Sequence, residues 1–286
     1  MMTNTQPFEV KPFTDLIGSE IKGIDVSRGL EQEVVEKIRS VLHDRGVVVL
    51  RQQRLEPEQQ VAFCQKLGPM RVSFMTDLAV PNTPALTVVS NIVKNNRPIG
   101  LVDAGALWHA DGSYLPNPDM YSVLYALEIP HKDGVALGDT AFLHSAAAYD
   151  AMPPDLREKI DHAQAIHSLS HHIQKKIEAN FKAPPVKNDK PDVRHPAVRV
   201  HPVTGRRYVY VTEGHTKAID GLDENENRVV MQRIAEHLKQ PQFVYRHKWQ
   251  VGDLLIWDNC ATQHLAISDY GDLPRRLHRA GISNYL

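Results

Sequence analysis

Cysteine is scarce: Cys64 and Cys260 are the only two in 286 residues. That is too few for a disulfide framework, and both are expected to be reduced, buried thiols without a functional part. Charge of one sign is also missing, because 33 Lys and Arg stand against 34 Asp and Glu. No block of five or more like charges occurs, so there is no basic surface to track phosphates, and nucleic acid is not an expected partner. No run of about 18 apolar residues exists, which excludes a hydropathic membrane span. The opening MMTNTQPFEVKPF has neither a basic n-region nor an apolar h-region, so export is not signalled and a cytoplasmic protein is expected. There is no G-x-G-x-x-G, which removes the fingerprint of a dinucleotide-binding, doubly wound sheet. Repeats and low-complexity tracts are absent as well.

What is present is an ordinary core-forming composition, 42% hydrophobic and 23% charged, enough for one domain over residues 1–286. Val34, Val35, Ile38, Val41 and Leu42 recur at helical spacing between Glu31 and Arg45, and Gly46 stops the pattern. Val47 to Leu50 is a β-branched run, and Glu56 to Leu67 reads as a second helix ending at Gly68-Pro69. Strand signals then dominate at Leu86–Val89, Tyr121–Leu127, Arg207–Val211, Phe243–Val244 and Asp253–Trp257, so most of the sheet is expected late in the chain. Asp155 to Lys182 reads as helix, and the Pro- and Lys-rich stretch from Lys182 to Pro196 as a surface loop. Short strands with long insertions predict a mainly β fold with flanking helices (α+β), a double-stranded β-helix of the jelly-roll, cupin-like kind.

The chemistry-bearing segment is Trp108-His109-Ala110-Asp111-Gly112-Ser113. A His and an Asp two residues apart point to the same side of an extended chain, so both could hold one metal. A second, distant His would complete the 2-His-1-carboxylate facial triad, which leaves open positions on an octahedral iron(II). Alone, the pair reads better as a polar pair in a surface loop, since the chain has 15 His. A second cluster, His167, His171 and His172, would share one face if helical, but reads better as a partly solvated helix end or lid.

Corroboration comes from several further segments taken in order: Gly46-Val-Val-Val-Leu50-Arg51, Leu67-Gly68-Pro69, Gly138-Asp139-Thr140, His201-Pro202-Val-Thr-Gly205-Arg206, Gly252-Asp253, and Trp257-Asp258-Asn259 followed by His264. With the His109 segment, these resemble the TauD/TfdA family of Fe(II)- and 2-oxoglutarate-dependent dioxygenases, over most of the chain. The resemblance implies that His109, Asp111 and His264 are the iron ligands and that 2-oxoglutarate and O2 are cosubstrates. It places Arg275, eleven residues past His264, on the far carboxylate of 2-oxoglutarate, where a planar guanidinium can grip both oxygens. Thr140 would bind the same carboxylate through its hydroxyl. Arg279, four residues further on, would meet an anionic group on the substrate, while Arg276 would face solvent. The carboxylate of Asp111 implies hydroxylation rather than halogenation.

The implied substrate is a small organic anion: a sulfonate, a sulfate ester, an aryloxyalkanoate or a similar carboxylate. Succinate and CO2 are released, and the hydroxylated product can collapse. Burying Arg279 without a partner would cost several kcal/mol, roughly, which argues for the anion. Ser73 and Gly105 stand where taurine-specific relatives offer further polar partners, which counts against taurine. Gly112 and Ser113, with Tyr114, are expected at the substrate, and lids near 74–81 and 168–192 are expected to cover it. A homo-oligomer, dimer or tetramer, is implied. Two alternatives remain open from the residues. One is a metallohydrolase using the same three residues on zinc; the other is a non-catalytic jelly-roll binding protein.

Overall fold

The computed structural model describes residues 8–72, 76–182 and 190–283. Its largest sheet runs in the order Glu9–Pro12, Ser19–Lys22, Val47–Leu50, Leu254–Asp258, Asp119–Glu128, Arg276–Ser283, Thr83–Ser90 and Ala79–Val80, with Met70–Arg71 also paired to Arg276–Ser283. The pair Ser19–Lys22 with Val47–Leu50 is parallel, whereas the neighbours on either side of Leu254–Asp258 are antiparallel to it. A smaller antiparallel sheet, Val244–His247, Thr140–His144 and Thr262–Ala266, faces the large one. This is the expected jelly-roll arrangement, although three strands of the large sheet precede residue 51 and the sheet is less late than the sequence suggests.

Period-two alternation explains how unbroken apolar runs serve two layers. Val47, Val49, Leu124, Ala126, Leu255, Trp257 and Leu277 point inward and meet Phe142, Tyr245 and Trp249 between the sheets. Val48, Leu50, Val123, Tyr125, Leu254, Ile256 and Ala280 point outward and are covered by two helices. Helix Gln32–Arg45 supplies Val35, Ile38 and Leu42, and helix Pro57–Leu67 supplies Phe63, Cys64 and Leu67. Each such side chain contributes roughly 1.5–3 kcal/mol when fully buried. The first helix stops at Gly46, in the left-handed region at φ 69°, with its N–H on the Leu42 carbonyl. The second opens with a capping box between Glu56 and Gln59 and has a Pro in its first turn.

The helix expected over Asp155 to Lys182 is interrupted. Helix Pro154–Ile160 is followed by strand Gln164–His167 and then by helix Leu169–Glu178. The strand exists because Val193–Pro196 and Thr216–Ile219 pair on either side of it, and those partners are remote in sequence. For the same reason part of the expected loop, Val193–Pro196, is strand, while residues 183–189 of that loop lie outside the described residues. The strand expected over Arg207–Val211 ends at Val209, and Phe243 belongs to a 3-10 turn ahead of Val244–His247. Both cysteines are free, Cys64 buried and Cys260 half-buried. Among the described residues no helix is long and apolar enough to cross a membrane.

Candidate active site

His109 lies outside the named strands but forms an antiparallel bridge with His264, exchanging both main-chain hydrogen bonds at 3.1 and 2.9 Å. The Ala266 N–H donates to the Gly105 carbonyl at 2.8 Å, so residues 105–109 are stitched along strand Thr262–Ala266. That bridge puts the two rings side by side, with centroids 4.1 Å apart. Asp111, two residues on, falls on the same side, and Gly112 at φ 68° turns the chain away. The candidate ligand atoms of His109, Asp111 and His264 all lie within 4.8 Å of one another, and all three residues are buried. His264 is held between Phe142 and Trp257.

The protonation pattern suits a cation. Nδ1 of His109 is 2.7 Å from the Leu107 carbonyl, which acts only as an acceptor, so Nδ1 carries a proton and Nε2 is the ring nitrogen that faces Asp111 Oδ1, at 3.5 Å. Burial, then the neighbouring His109, holds His264 well below the usual imidazole range, and its Nδ1 is buried without a hydrogen-bond partner. Burial opposes ionisation of Asp111, but Arg279, His264 and His109 together hold its carboxyl well below the ordinary range. Two imidazoles and one carboxylate on a shared face match the donor set of iron(II).

Strand Asp119–Glu128 and the turn after Leu254–Asp258 fix the carboxylate. Ser122 Oγ donates to Asp111 Oδ2 at 2.6 Å. Asn259 accepts from the Asp111 N–H at 3.1 Å and from the Trp257 indole at 3.0 Å, and donates to Ser122 Oγ at 3.0 Å. Arg279 lies 2.8 Å from Asp111 and 3.3 Å from Asp119, and Asp119 also pairs with Arg71. The expectation that Arg279 needs a substrate anion to balance its charge loses that ground, because two carboxylates on neighbouring elements already balance it. They outweigh its burial and push its pKa above the ordinary guanidinium range.

The other end of the cavity is built around Arg275, which is 4% exposed. Its guanidinium donates to the Gly138 carbonyl at 3.1 Å and lies against the Tyr270 ring, yet Nε has no partner and no carboxylate is within ion-pair distance among the described residues. Burial lowers its pKa accordingly. A Cβ at Gly138 would come within 2.8 Å of Arg275 Nε, so only glycine lets the side chain pass. Thr140 Oγ1 accepts from the Trp249 indole at 3.0 Å, which leaves its own hydrogen free for a ligand. Arg275, Thr140, Arg279 and the three candidate ligands line one cavity of about 220 Å³.

The family model described as taurine catabolism dioxygenase TauD, TfdA family matches residues 9–280. The chain belongs to the TauD/TfdA family. Members are Fe(II)- and 2-oxoglutarate-dependent dioxygenases, which decides against the zinc hydrolase and the silent binding protein. An alpha-ketoglutarate-dependent 2,4-dichlorophenoxyacetate dioxygenase of Cupriavidus pinatubonensis is 30% identical over 263 residues, 88% of this chain and 90% of that one. A sulfate ester dioxygenase of Pseudomonas putida is 29% identical, over 96% of this chain and 89% of its own. Among solved structures, a taurine dioxygenase from Burkholderia xenovorans superposes with a TM-score of 0.80 at 32% identity, over 97% of this chain and 89% of that one. The protein AAD-2, in complex with Mn(II) and N-oxalylglycine, gives 0.81 at 26%, over 98% of both chains.

Within this TauD/TfdA fold the remaining expectations divide. Gly105, Gly112 and Tyr114 line the cavity, but Ser113 does not: it is fully buried behind the wall with an unpartnered hydroxyl. Ser73 and residues 74–75 of the first lid lie outside the described residues, as do 183–189 of the second. His167 sits on a strand and bonds to the Tyr210 carbonyl, while His172 faces the cavity, so the His167, His171 and His172 cluster does not converge. Another group, His43, His201 and Asp258, does converge. There His201 bonds to Asp258 and accepts two main-chain N–H groups, and His43 bonds to Tyr121, which reads as a satisfied structural network. Ser122, Asn259, Asp119 and Trp249 were not legible in the sequence; the only signal was the Trp-Asp-Asn triplet at 257–259.

Proposed function

We propose that this enzyme hydroxylates a small anionic organic substrate, with His109, Asp111 and His264 holding iron(II) and Arg275 with Thr140 gripping the far carboxylate of 2-oxoglutarate. Bound there, the iron supplies the oxygen-dependent redox chemistry that releases succinate and CO2. The chain's own residues do the rest: Leu107 orients His109, Ser122 and Asn259 orient Asp111, and the apolar Phe142 and Trp257 brace His264. The observation that carries this reading is Arg275, a buried cation with no carboxylate at ion-pair distance among the described residues, in the same cavity as a buried His, Asp, His set. An uncompensated buried charge is expensive to keep, so an anionic ligand is the economical explanation.

Arg279 supports the anionic substrate class. With Asp111 assigned to the metal, Arg279 would keep Asp119, already shared with Arg71, and its N–H groups would be available to a substrate anion. The relatives act on a phenoxyacetate and on sulfate esters, and both classes fit here. The lid role of 168–192 is supported by helix Leu169–Glu178, whose Leu169, His172 and Ile173 line the cavity; the first lid, 74–81, belongs to the same proposal, as do the homo-oligomeric state and the cytoplasmic setting. The test is a panel of sulfonates, sulfate esters, aryloxyalkanoates and phosphonates supplied with iron(II), ascorbate and 2-oxoglutarate, reading succinate. Substrate-dependent succinate under air is expected. Turnover under argon without 2-oxoglutarate, or no succinate with any member, contradicts the proposal.

A further inference from the structure

Helix Leu169–Glu178 turns one stripe toward the cavity: Leu169, His172, Ile173 and Lys176, at helical positions i, i+3, i+4 and i+7. On an inward stripe a hydrocarbon is the expected fourth member. Lys176 stands there instead, only 3% exposed, while the outward Ile177 is 53% exposed. The amine donates to the main-chain carbonyl of Asp103 at 2.8 Å. The carboxylate of Asp103 is engaged elsewhere, accepting the Lys182 N–H at 2.9 Å, and Lys176 makes no ion pair among the described residues. Burial of the ammonium outweighs the attraction of the Asp103 carboxylate, which forms no ion pair with it. Its position recurs in kind at Arg275: a cation on the wall of this same cavity, buried, with a carbonyl as its partner. Among the cavity's four Lys and Arg side chains, Arg71 and Arg279 are matched by Asp111 and Asp119, whereas Arg275 and Lys176 are not.

We propose that Lys176 is a specificity-determining residue that reaches from the lid helix to the anionic group of the substrate. This rests on the preceding reading of the cavity as the site of an anionic substrate, with Arg275 assigned to 2-oxoglutarate. The alternative role is a latch, in which Lys176 serves only to tie the helix to the 103 loop. The two differ in what removal of the amine does. If it is a latch, removal lowers stability and weakens every ligand equally. If it holds the substrate anion, removal leaves the fold as stable, or more so, because a buried charge without an ion pair has gone, and it weakens charged ligands alone.

The experiment titrates 2,4-dichlorophenoxyacetate and hexyl sulfate, with the uncharged 2,4-dichlorophenoxyacetamide and hexanol, into the iron(II)- and 2-oxoglutarate-loaded protein under nitrogen by calorimetry. Wild type, Lys176→Met and Lys176→Arg are compared, with a melting curve for each. At least one anion is expected to bind wild type and to bind Lys176→Met about tenfold or more weakly, the scale of one charge-assisted hydrogen bond. Its uncharged counterpart should not distinguish the two proteins, Lys176→Arg should recover most of the loss, and the melting temperature of Lys176→Met should not fall. Equal weakening of charged and uncharged ligands, a lowered melting temperature with no charge selectivity, or no anion binding to wild type overturns the proposal. Failure of 2-oxoglutarate to bind wild type is a separate result, which overturns the preceding reading instead.

Discussion

A guanidinium buried to 4% exposure with one carbonyl partner is a stability cost until an anion arrives. Arg275→Met should therefore leave the metal-free, cosubstrate-free protein as stable as wild type or more stable in thermal melting, because an uncompensated buried charge is replaced by an apolar chain. A lowered melting temperature would mean that the Gly138 and Tyr270 contacts outweigh that cost. At Asp111 the prediction runs the other way. Ser122→Ala removes the 2.6 Å donor to its carboxylate and should weaken iron(II) binding by about 10–100-fold, measured by anaerobic titration, with the fold retained. The three candidate ligands were legible because the resemblance to the TauD/TfdA family, carried by several short motifs in order, implied them, and such motifs survive in the linear sequence. Ser122 and Asn259 were not, since an ordinary strand serine becomes a positioning group only when Leu254–Asp258 pairs beside Asp119–Glu128.

At the scale of elements, the N-terminal helices and the runs at Val47–Leu50 and Leu254–Asp258 could be read because their patterns are local: a 3.6 period closed by glycine, or β-branched residues buried on both faces. The stretch 155–182 misled because its central strand is specified by partners at 193–196 and 216–219, which no local period announces. Gly46 shows how tightly an element joint can be drawn. It ends helix Gln32–Arg45 at positive φ, and a Cβ there would lie 2.6 Å from Thr262 Cγ2, two residues before His264. Gly46→Ala should thus destabilise the fold by about 1–3 kcal/mol in denaturant unfolding, from backbone strain and overpacking together. An unchanged midpoint would show that strand Thr262–Ala266 gives way at little cost.

For the whole molecule, the buried His144 and His167 and the half-buried His278 set an acid limit. Burial, reinforced by nearby basic groups, lowers His144 and His278 to about 4 and His167 to about 3. Between about pH 6.5, where the unfolded imidazole titrates, and those values, the unfolded chain binds protons that the folded chain refuses. Stability is then complete above about pH 6.5 and falls as the pH drops toward 4. Melting temperature against pH should show that decline, and His144→Asn, which keeps an acceptor at the start of helix Ser145–Asp150, should make it shallower. A slope unaltered by the substitution would remove His144 from the account.

If one cavity holds a ferrous ion on His109, Asp111 and His264 and a keto acid anchored by Arg275, the two ligands can be removed separately. Anaerobic co-titration of iron(II) and 2-oxoglutarate into wild type, Arg275→Met and His264→Ala shows whether they can. Arg275→Met is expected to keep one iron and to bind 2-oxoglutarate about 100-fold more weakly, the scale of a lost bidentate pair, whereas His264→Ala is expected to lose the iron itself. An Arg275→Met protein that binds 2-oxoglutarate as wild type does, or a His264→Ala protein that retains its iron, would contradict that arrangement.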